Sequence, residues 1–552
     1  MPVIQLSLRR LGQYCNNKAS ENTILESLPY LGLDIEDHSG DLISVEYSPN
    51  RPDFSSEAGI ARSLVGILGI TIGVPKYEFP RSKYSVQITG KEILGVRPYI
   101  EAIYAEISVT DEIIKQLISM QEDLHNGIGR KRSKVAIGIH NSSVITQSMS
   151  YYGTTDSSFA FVPLGSTRKQ SITEIMQSTE QGKGYGKLLS DVFPILADSK
   201  SNVLSMPPII NGELTRLRPG ISNLFIDLTG TDQRVVDVST AIMASMLVDI
   251  GARVFSVKIE SSEFSSIWTP DMNSSQMHLD LELTNKILGF DFDLEQARVA
   301  LEKSRLGLDG AGHALIPRYR NDIIHPIDLS EEVALGYGIA HFSPQEVSTS
   351  LAGSLNRRLR RIDSMIEILI GLGFVENWNF SLTSKEVVMQ CPESTLLKVE
   401  DSKSESFEFL RCDILSSLLR VLGASTHEEY PQMIFEEAPT FRRNSLSKTG
   451  VSEEEHLAAA MADSEANYSK IRSRLDAFLR AFGEPSKIRF EPFRDETLIY
   501  AEGRTAAIML KTDGEEIFLG TIGEISPGTL ERFGLAVPAA GFELNLEPLL
   551  KD

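Results

Sequence analysis

Four carboxylate side chains are concentrated in a short stretch of the 552-residue chain. The residue before a proline disfavours helix, whereas proline is tolerated in a first helical turn, so His325-Pro326 is predicted to precede a helix. Val333, Ala334 and Tyr337 give that helix an apolar stripe, and three of the carboxylates fall within one of its turns. We refer to the four as the carboxylate cluster: Asp322, Asp328, Glu331 and Glu332.

Two interpretations of the carboxylate cluster stay open on spacing alone. Asp328 and Glu331 have the spacing of a capping box, and acids in a first helical turn complement the helix dipole. The alternative is a hard-cation site, since Mg²⁺ favours a few carboxylates together with waters. Asp322, upstream of the proline turn, would close such a site from the strand side.

Length and composition indicate an ordinary multidomain protein. A chain of 552 residues is expected to form roughly three or four domains at about 150 residues each. With 41% hydrophobic and 23% charged residues it can bury large cores, and no apolar run approaches the roughly 20 residues needed to cross a bilayer. The N-terminus lacks the pattern of a signal peptide, so a cytoplasmic protein without membrane contact is expected.

The distribution of charge restricts any contact with nucleic acid. The net charge of −21 argues against a surface that binds phosphates everywhere. Basic residues cluster locally at 130–134 and 357–361, so such contacts are expected only in patches or together with a partner chain. The three cysteines show neither a disulfide framework nor the spacing of zinc ligands: Cys15, Cys391 and Cys412.

Alternating strand and helix patterns divide the chain into four predicted domains of a multidomain α+β protein. Residues 1–85 form a small α+β domain, and residues 86–262 an α/β or α+β domain. Residues 263–345 form a small helical, winged-helix-like domain, and residues 346–552 place helices around a mostly antiparallel sheet. Within the last domain, Asp513-Gly514 predicts a hairpin.

Motifs of self-contained catalysis are missing from the sequence. It has no phosphate-binding P-loop, no His-Glu-x-x-His and no Cys-x-x-Cys. The glycine-rich segment at 182–187 predicts a flexible loop, and His140, at the end of an apolar strand, is interpreted as a core histidine. No Ser/His/Asp set follows from the order of residues alone.

A series of short motifs, each weak alone, has a specific order and spacing. They are Ser48-Pro-Asn-Arg-Pro-Asp53, Gly59-Ile-Ala-Arg62, Gly127-Ile-Gly-Arg-Lys-Arg132, Val135-Ala-Ile-Gly-Ile-His140, Pro207-Pro-Ile-Ile-Asn211, Asp227-Leu-Thr-Gly-Thr-Asp232, Tyr319-Arg-Asn-Asp-Ile323, Asp328-Leu-Ser-Glu-Glu-Val333, Gly336-Tyr-Gly338, Phe435-Glu-Glu437 and Gly523-Glu-Ile-Ser-Pro527. Together they make essentially the whole chain resemble the β subunit of phenylalanyl-tRNA synthetase in its shorter archaeal and eukaryotic form.

The resemblance implies a heterotetramer of two α and two β chains that joins phenylalanine to tRNA(Phe), using ATP and Mg²⁺. ATP and phenylalanine are then bound by α, and no residue of this chain is catalytic in aminoacylation. Residues 346–552 look like a degenerate class II synthetase domain, because Phe435-Glu-Glu437 and Gly541-Phe-Glu-Leu-Asn545 lack the arginines that active domains use for ATP. The arginine-flanked helix at 355–370 would lie at a subunit interface.

The resemblance also assigns roles to both candidate sites. It favours the metal interpretation of the carboxylate cluster, as a Mg²⁺ site shared with α in a domain of the B5 type, and Asp328 could both cap and ligate. Residues 86–262 resemble the B3/B4 editing domain, which hydrolyses tyrosine wrongly attached to the tRNA. Rejecting phenylalanine there requires groups that hydrogen-bond the phenolic hydroxyl. The matching polar residues are Gln121, Arg132, Asn211, Asp227 and Thr229.

Because the editing site has no obvious nucleophile, a water positioned by backbone and substrate hydroxyls would suit it. Two alternative functions remain open. The chain could be a free-standing deacylase of mischarged tRNA that uses only residues 86–262, or a non-catalytic scaffold that binds tRNA.

Overall fold

A computed structural model describes residues 2–262, 265–344, 346, 351–388, 391–483, 485–494, 499–512 and 514–550. It contains two compact units, Met1–Glu346 and Val347–Asp552. Both combine sheets with helices, so the chain is a mixed α+β multidomain protein. No helix among the described residues is long and apolar enough to span a bilayer.

The first unit begins with a three-stranded antiparallel sheet and three helices. Its elements are β1 Val3–Ser7, α1 Leu8–Tyr14, α2 Glu21–Ser27, β2 Asp34–Ser39, β3 Leu42–Glu46 and α3 Glu57–Ile67. β3 lies between β1 and β2, and its inward residues Ile43 and Val45 are fully buried. They share one core with Ile60 and Leu64 of α3.

A larger sheet of ten strands follows. Its region contains β4 Arg81–Thr89, β5 Tyr99–Glu106, α4 Asp111–Asn126, β6 Val135–Asn141, β7 Ser148–Thr154, β8 Ala160–Phe161, β9 Gln170–Ser171, α5 Ile172–Ser178, α6 Glu180–Tyr185, β10 Phe193–Asp198, β11 Val203–Met206, β12 Ile210–Asn211, β13 Asn223–Gly230, α7 Gln233–Asp249, β14 Arg253–Ser261 and β15 Ile267–Thr269. The order is β12-β11-β10-β7-β4-β14-β5-β13-β6, with β15 also on β14, and β8 and β9 form a separate pair.

The direction of the strands makes this region α+β rather than α/β. β4 runs parallel to β7 and β14, whereas the other strand pairs of the ten-stranded sheet are antiparallel in the described residues. α4 and α7 bury their apolar faces on this sheet, through residues such as Leu117, Met120 and Ile242. The register between β6 and β13 sets Asp227 opposite Gly138, which matters for the site described below.

The first unit ends in three helices and a three-stranded antiparallel sheet. These elements are β16 Ser275–His278, α8 Leu281–Leu288, α9 Leu294–Lys303, β17 Gly307–Leu308, β18 His313–Ile316 and α10 Pro326–Tyr337. β18 pairs with both β16 and β17. α10 approaches α9 so closely that a Cβ on Gly336 would lie 1.8 Å from the carbonyl oxygen of Ala300. The helix that carries three of the clustered carboxylates is therefore fixed by backbone contact.

The second unit is built on a seven-stranded sheet. Its elements are α11 Arg357–Gly371, β19 Val375–Glu376, β20 Leu382–Thr383, β21 Phe409–Leu410, α12 Leu415–Ala424, β22 Gln432–Arg443, β23 Val451–Ala462, α13 Tyr468–Phe482, β24 Ile488–Pro492, β25 Tyr500–Lys511, β26 Glu516–Ile525, α14 Pro527–Arg532, β27 Ala539–Asn545 and α15 Glu547–Leu550. The order is β19-β22-β23-β27-β26-β25-β24, and all neighbours except β19 and β22 are antiparallel. α11 and α13 belong to one core on this sheet and α12 to another.

Several local predictions differ from the structure. The glycine-rich segment at 182–187 is not simply a loop, because its first residues belong to α6. Cys391 and Cys412, for which no pairing was expected, are joined in a disulfide across a Cα–Cα distance of 6.6 Å. Asp513, in the predicted hairpin turn, lies outside the described residues, but β25 and β26 on either side pair antiparallel as predicted.

Candidate functional site

A cavity of about 230 Å³ in the first unit collects most of the residues predicted for the editing pocket. Its lining includes Gln121 of α4, Arg132 of the following loop, Asn211 of β12 and Asp227 of β13. These four positions span more than 100 residues of sequence, and the ten-stranded sheet with α4 brings them together.

Thr229 does not line this cavity. It is fully buried two residues beyond Asp227, and its hydroxyl accepts an N–H of Arg97 at 2.9 Å. The carbonyl of Thr229 accepts a second N–H from Arg97 at 2.6 Å. Burial lowers the pKa of Arg97 to about 10, with the buried Tyr151 and Asp227 opposing the shift. Thr229 therefore holds a buried arginine behind the cavity, not a ligand inside it.

Asp227 is held by a buried chain of hydrogen bonds. Its Oδ1 lies 2.7 Å from Nε2 of His140, and Nδ1 of His140 lies 2.8 Å from the hydroxyl of Thr215. The order hydroxyl, imidazole, carboxylate is that of a nucleophilic triad, but Thr215 and His140 are fully buried and do not line the cavity. The prediction that His140 is a core histidine is confirmed, and its imidazole orients the carboxylate of Asp227.

Gly138 makes room for this carboxylate. It lies opposite Asp227 in the sheet and lines the same cavity. A Cβ at this position would fall 2.4 Å from Oδ1 of Asp227 and 2.6 Å from Nε2 of His140. The glycine of the Val135–His140 motif is therefore explained by close approach of two side chains.

Arg132 reaches the cavity from a strained loop. Arg130, Lys131 and Arg132 have φ of 46°, 53° and 65°, in a region that side chains other than glycine rarely adopt. The guanidinium of Arg132 donates to Glu122 Oε1 at 2.9 Å and to the carbonyl of Ile209 at 3.2 Å, and it lies 4.4 Å from the ring centre of Tyr185.

Glu122 and His125 fix the position of Arg132. Nε2 of His125 accepts the N–H of Ile137 at 2.8 Å, which leaves Nδ1 to donate to Glu122 at 3.1 Å. Burial lowers the pKa of His125, so this imidazole stays neutral. The hydrogen bond from His125, together with the positive charge of Arg132, lowers the pKa of Glu122. Neither Glu122 nor His125 was predicted, although His125 lies four residues after Gln121 and three after Glu122 on α4, the spacing of neighbours on one helix face.

Two further groups complete the polar wall. The side-chain amide of Gln121 donates to the carbonyl of Ile137 at 2.5 Å. Ser205, which sequence reasoning missed, pairs with Asn211 between β11 and β12 and lines the cavity. Its hydroxyl is buried and has no hydrogen-bond partner among the described residues. The cavity thus offers a carboxylate, a guanidinium, amides and a hydroxyl, a set suited to a ligand that both donates and accepts hydrogen bonds.

The carboxylate cluster combines a helix cap with a buried ion pair. α10 starts at Pro326 as predicted, but the capping box pairs Asp328 with His325, not with Glu331. Oδ2 of Asp328 accepts the backbone N–H groups of Ile324 at 2.8 Å and His325 at 2.7 Å. Asp328 therefore caps the helix whether or not it also binds a metal.

Arg320, which the sequence interpretation did not single out, joins two of the other carboxylates. Its buried guanidinium donates to Asp322 at 2.8 Å and also contacts Glu332. Burial alone would lower the pKa of Arg320, but Glu332 and Asp322 outweigh it and hold the pKa well above the usual value. Burial would raise the pKa of Asp322, but the charge and hydrogen bond of Arg320 outweigh it and hold this pKa below its usual value. Arg51 of the Ser48–Asp53 motif, which is bound to Asp53 at 2.8 Å, lowers it further through its charge.

Glu331 is the exposed member of the carboxylate cluster. Its pKa is raised, first by partial burial and then by the negative charges of Glu332, Asp328 and Asp322. Hard oxygen donors of this kind suit Mg²⁺, which needs only one or two carboxylates beside waters and partner groups. No three of the four carboxylates bring ligand oxygens within 4.8 Å of one another, so the chain alone does not form a closed cation cage here.

The comparisons with known proteins place the chain among the aminoacyl-tRNA synthetase subunits. Residues 277–339 match the tRNA synthetase B5 domain family, and residues 344–546 match the phenylalanyl tRNA synthetase beta chain CLM domain family. The first match contains the whole carboxylate cluster.

Full-length relatives narrow this class to one family. The phenylalanine–tRNA ligase beta subunit of Archaeoglobus fulgidus is 37% identical over 99% of this chain and 98% of its own length. The beta subunit of Methanocaldococcus jannaschii is 33% identical over 99% of this chain and 100% of its own length. The chain belongs to the family of phenylalanine–tRNA ligase beta subunits. The family and the assignment as a ligase subunit, predicted from the motifs, are confirmed.

A solved structure resembles part of the chain. An N-terminal fragment of the phenylalanyl-tRNA synthetase beta subunit from Pyrococcus horikoshii matches with a TM-score of 0.58 and 30% identity. The match covers 61% of this chain and 100% of that fragment.

Proposed function

We propose that this cytoplasmic chain is the subunit of phenylalanine–tRNA ligase that supports assembly, tRNA contact and editing, while an α subunit binds ATP and phenylalanine and performs the synthesis. This division of labour is supported by the internal contacts of two glutamates in the second unit. Glu436 is fully buried and accepts hydrogen bonds from Arg411 at 2.5 Å and from Asn379 at 2.6 Å. Glu543 accepts the backbone N–H groups of Ile414 and Leu415 and contacts His456 at 2.6 Å.

Both glutamates belong to the segments expected to bind ATP in an active class II domain, and here both are engaged in internal contacts. We therefore interpret the second unit as a degenerate synthetase domain. Expressed alone, the full chain should form no phenylalanyl-tRNA when supplied with ATP, phenylalanine, Mg²⁺ and tRNA(Phe), and adding the α subunit should restore synthesis. Measurable aminoacylation by the single chain would refute the proposal.

An exposed apolar surface on the second unit supports association with α in an α₂β₂ assembly. Val375, Trp378 and Phe380 expose 66%, 85% and 76% of their surface within a short stretch after α11. Large exposed apolar groups in such a run mark surfaces that bind other proteins. On α11 itself, Leu359 and Ile370 are about half exposed, while Ile362, Met365 and Leu369 pack inward.

We propose that the cavity around Asp227 is the editing site for tyrosine attached to tRNA(Phe). A polar wall that hydrogen-bonds a phenolic hydroxyl would reject phenylalanine, because the site's buried polar groups would be left unpaired. The structure offers no nucleophile with an adjacent base in the cavity lining. Hydrolysis is therefore assigned to a positioned water.

The test is deacylation of Tyr-tRNA(Phe) by the complete ligase. Replacing Asp227→Ala should abolish deacylation while leaving phenylalanyl-tRNA synthesis intact, since synthesis is assigned to α. Replacing Asp123→Ala on the same helix as Gln121, a residue outside the cavity lining, serves as the matched control. Unchanged deacylation by the Asp227→Ala ligase would exclude this cavity as the editing site.

The two alternatives predict different outcomes of the same assay. A free-standing deacylase would keep its activity in a fragment ending at Glu346, where the first compact unit ends. That fragment can be prepared, since a similar N-terminal fragment of a relative has been crystallised. A pure scaffold would show no deacylation of Tyr-tRNA even within the complex.

Contact with tRNA is assigned to the basic loop beside the cavity. Arg130 and Lys131 are exposed, whereas Arg132 of the same loop turns inward to the cavity. The two outward cations suit contact with tRNA phosphates. Arg130→Glu with Lys131→Glu should weaken tRNA binding and flatten its salt dependence. Arg168→Glu with Lys169→Glu, an equivalent change on another surface loop, serves as the control.

We further propose that the carboxylate cluster binds Mg²⁺, with Glu331 as the accessible ligand and the α subunit closing the site. The support is the hard-oxygen donor set and the crowding of negative charge around Glu331. Bound Mg²⁺ would neutralise this charge and favour docking of the partner. Glu331→Gln should remove the Mg²⁺ dependence of assembly with α, measured by analytical ultracentrifugation. Equal Mg²⁺ dependence in the variant would contradict the assignment.

A further inference from the structure

Two cysteines and an aspartate meet in the second unit, far from both sites described above in sequence. Cys391 precedes a turn, and Cys412 and Asp413 lie just before α12. One ligand atom from each lies within 4.8 Å of the others, and among the described residues this is the one group of three or more potential metal ligands at that spacing. We call it the Cys–Asp cluster.

The side chain of Asp413 is already oriented for coordination. Its Oδ1 accepts the N–H of Ser416 at 2.8 Å, at the start of α12. Its Oδ2 lies 3.7 Å from the sulfur of Cys391 and 3.7 Å from the sulfur of Cys412. The hydrogen bond from Ser416 fixes this carboxylate near both sulfurs, as neighbouring contacts fix a metal ligand.

The surroundings favour thiolates and give access from solvent. Arg442, which lines the same cavity as Cys391, donates to the carbonyl of Cys412 at 3.2 Å, and its positive charge favours thiolates there. Cys412 is buried, but Cys391 and Asp413 line a cavity of about 360 Å³. An ion can therefore enter, and the cavity leaves space for a water or another donor to complete the coordination.

We propose that Cys391, Cys412 and Asp413 bind a thiophilic divalent cation, Zn²⁺, when the two cysteines are reduced. In the structure the cysteines form a disulfide, whereas cysteine pairs of cytosolic proteins are more often metal ligands than permanent bridges. Zinc takes thiolates at about 2.3 Å, so two sulfurs on one ion stand about 3.8 Å apart in tetrahedral geometry. The Cα–Cα distance of 6.6 Å allows this separation by side-chain rotation.

The chemistry balances as a two-electron exchange followed by ligand binding. A dithiol reductant gives two electrons and two protons to the Cys391–Cys412 bond, becomes a disulfide itself and leaves two thiols on the protein. Zn²⁺ then forms two Zn–S bonds and releases the two thiol protons to solvent. A disulfide oxidant reverses the order: Zn²⁺ leaves, the Cys391–Cys412 bond forms again, and the oxidant takes up the two electrons and two protons and becomes a dithiol.

The experiment uses Co²⁺ as a spectroscopic probe on the full-length chain, reduced and freed of metal. Wild type should bind one equivalent with a sulfur-to-cobalt charge-transfer band that Zn²⁺ displaces. Cys391→Ser and Cys412→Ser should lose the band, and Asp413→Asn should bind at least about tenfold more weakly. Cys15→Ser, which removes the remaining cysteine, buried in the first unit, should behave as wild type.

A second measurement covers the case in which a cysteine variant fails to fold. In the unmutated chain, Zn²⁺ should protect two of the three thiols from a disulfide-exchange reagent, and a chelator should restore their reactivity. Reduced wild type that shows neither charge transfer nor zinc-dependent protection would overturn the proposal. So would a charge-transfer band that survives in Cys391→Ser.

Discussion

At the scale of single residues, the polar wall of the first-unit cavity depends on the absence of one Cβ. Gly138→Ala would place a methyl group against Asp227 and His140, where overpacking typically costs about 1–3 kcal/mol. We expect a lower urea midpoint of the first unit, measured by pulse proteolysis with its peptides quantified by mass spectrometry, and loss of Tyr-tRNA deacylation.

The control for this change is another glycine that meets open space. Gly184 in α6 has no neighbouring atom within 4 Å of an added Cβ, so Gly184→Ala should leave stability equal or slightly higher. If Gly138→Ala unfolds at the wild-type urea concentration, the close packing around Asp227 has no energetic consequence.

His456 predicts a pH dependence of the second unit. Burial would lower its pKa, but the carboxylates of Glu454, 3.8 Å from Nε2, and of Glu543, hydrogen-bonded to Nδ1 at 2.6 Å, outweigh burial and the opposing charge of Arg442 and raise the pKa to about 9. Because the pKa of His456 is higher in the folded than in the unfolded chain, protonation of this imidazole stabilises the fold. The stabilisation is fully present below pH 6.5, the usual pKa of histidine in an unfolded chain, and is lost as the pH rises through 9. The pKa shift of His456 corresponds to a contribution on the order of 3 kcal/mol to the free energy of unfolding.

The urea midpoint of second-unit peptides should therefore fall between pH 6.5 and pH 9.5 in wild type and change little in His456→Gln. His427, whose side chain is 74% exposed in the same unit, provides the control, and His427→Gln should keep the wild-type dependence. A profile of His456→Gln that still falls like wild type would contradict the assignment to this imidazole.

At the scale of elements, α10 allows the cap and metal roles of Asp328 to be separated. Asp328→Ala removes the acceptor of two backbone N–H groups and should destabilise the first unit by about 1 kcal/mol, whereas Asp328→Asn keeps an acceptor oxygen and should cost less. If Asp328 also ligates Mg²⁺, we expect Mg²⁺ to raise the thermal midpoint of the wild-type ligase and to raise that of both variants less.

Glu282→Gln, an exposed acid in the first turn of neighbouring α8, is the matched control and should keep both properties. Equal stability of Asp328→Ala and wild type would contradict the cap. A full response of Asp328→Asn to Mg²⁺ would exclude this carboxylate as a ligand.

Two elements show where local sequence patterns fail. Residues Ala458–Ala462 contain four alanines, which favour helix, yet they form the end of β23 between β22 and β27. Alternate residues enter the cores on the two faces of the sheet, so both faces are buried and no period-2 pattern is visible. Pairing with β22 and β27, and not local propensity, therefore determines that these residues form a strand.

The loop predicted for the glycine-rich segment of α6 is wrong for a related reason. A Cβ on Gly182 would lie 2.2 Å from the carbonyl oxygen of Ile175, so this glycine permits close contact with α5. The hydroxyl of Thr179 caps the helix by accepting the N–H of Gly182 at 2.9 Å. Glycine indicates freedom of the backbone when read alone, and only the tertiary contact shows that it serves packing.

At the scale of the whole molecule, the proposed assembly can be tested on the exposed apolar surface. Trp378→Glu should prevent co-purification with α and abolish aminoacylation by the mixture, while the second unit keeps its urea midpoint because Trp378 is 85% exposed. Leu446→Glu changes a side chain that is 96% exposed on the turn between β22 and β23, and it should assemble normally. Normal assembly of Trp378→Glu would show that the interface with α does not include this surface.

The sequence by itself determined the family, the α+β class and the start of α10. These follow from local chemistry: proline before a helix, glycine after it, and apolar residues at the period of the element. The motifs that identified the family also contain three of the four cavity residues, Arg132, Asn211 and Asp227, whereas Gln121 lies outside them.

Only the tertiary structure decided which polar groups meet. Arg320 between Asp322 and Glu332, His140 behind Asp227, Ser205 in the cavity wall and the pairing of Cys391 with Cys412 all join residues whose contact depends on packing. Thr229 stands two positions from Asp227 in sequence, yet it bonds Arg97 in the interior. Sequence periodicity fixes the face of an element that a side chain occupies, whereas its partner is set by the register and packing of elements distant in the chain.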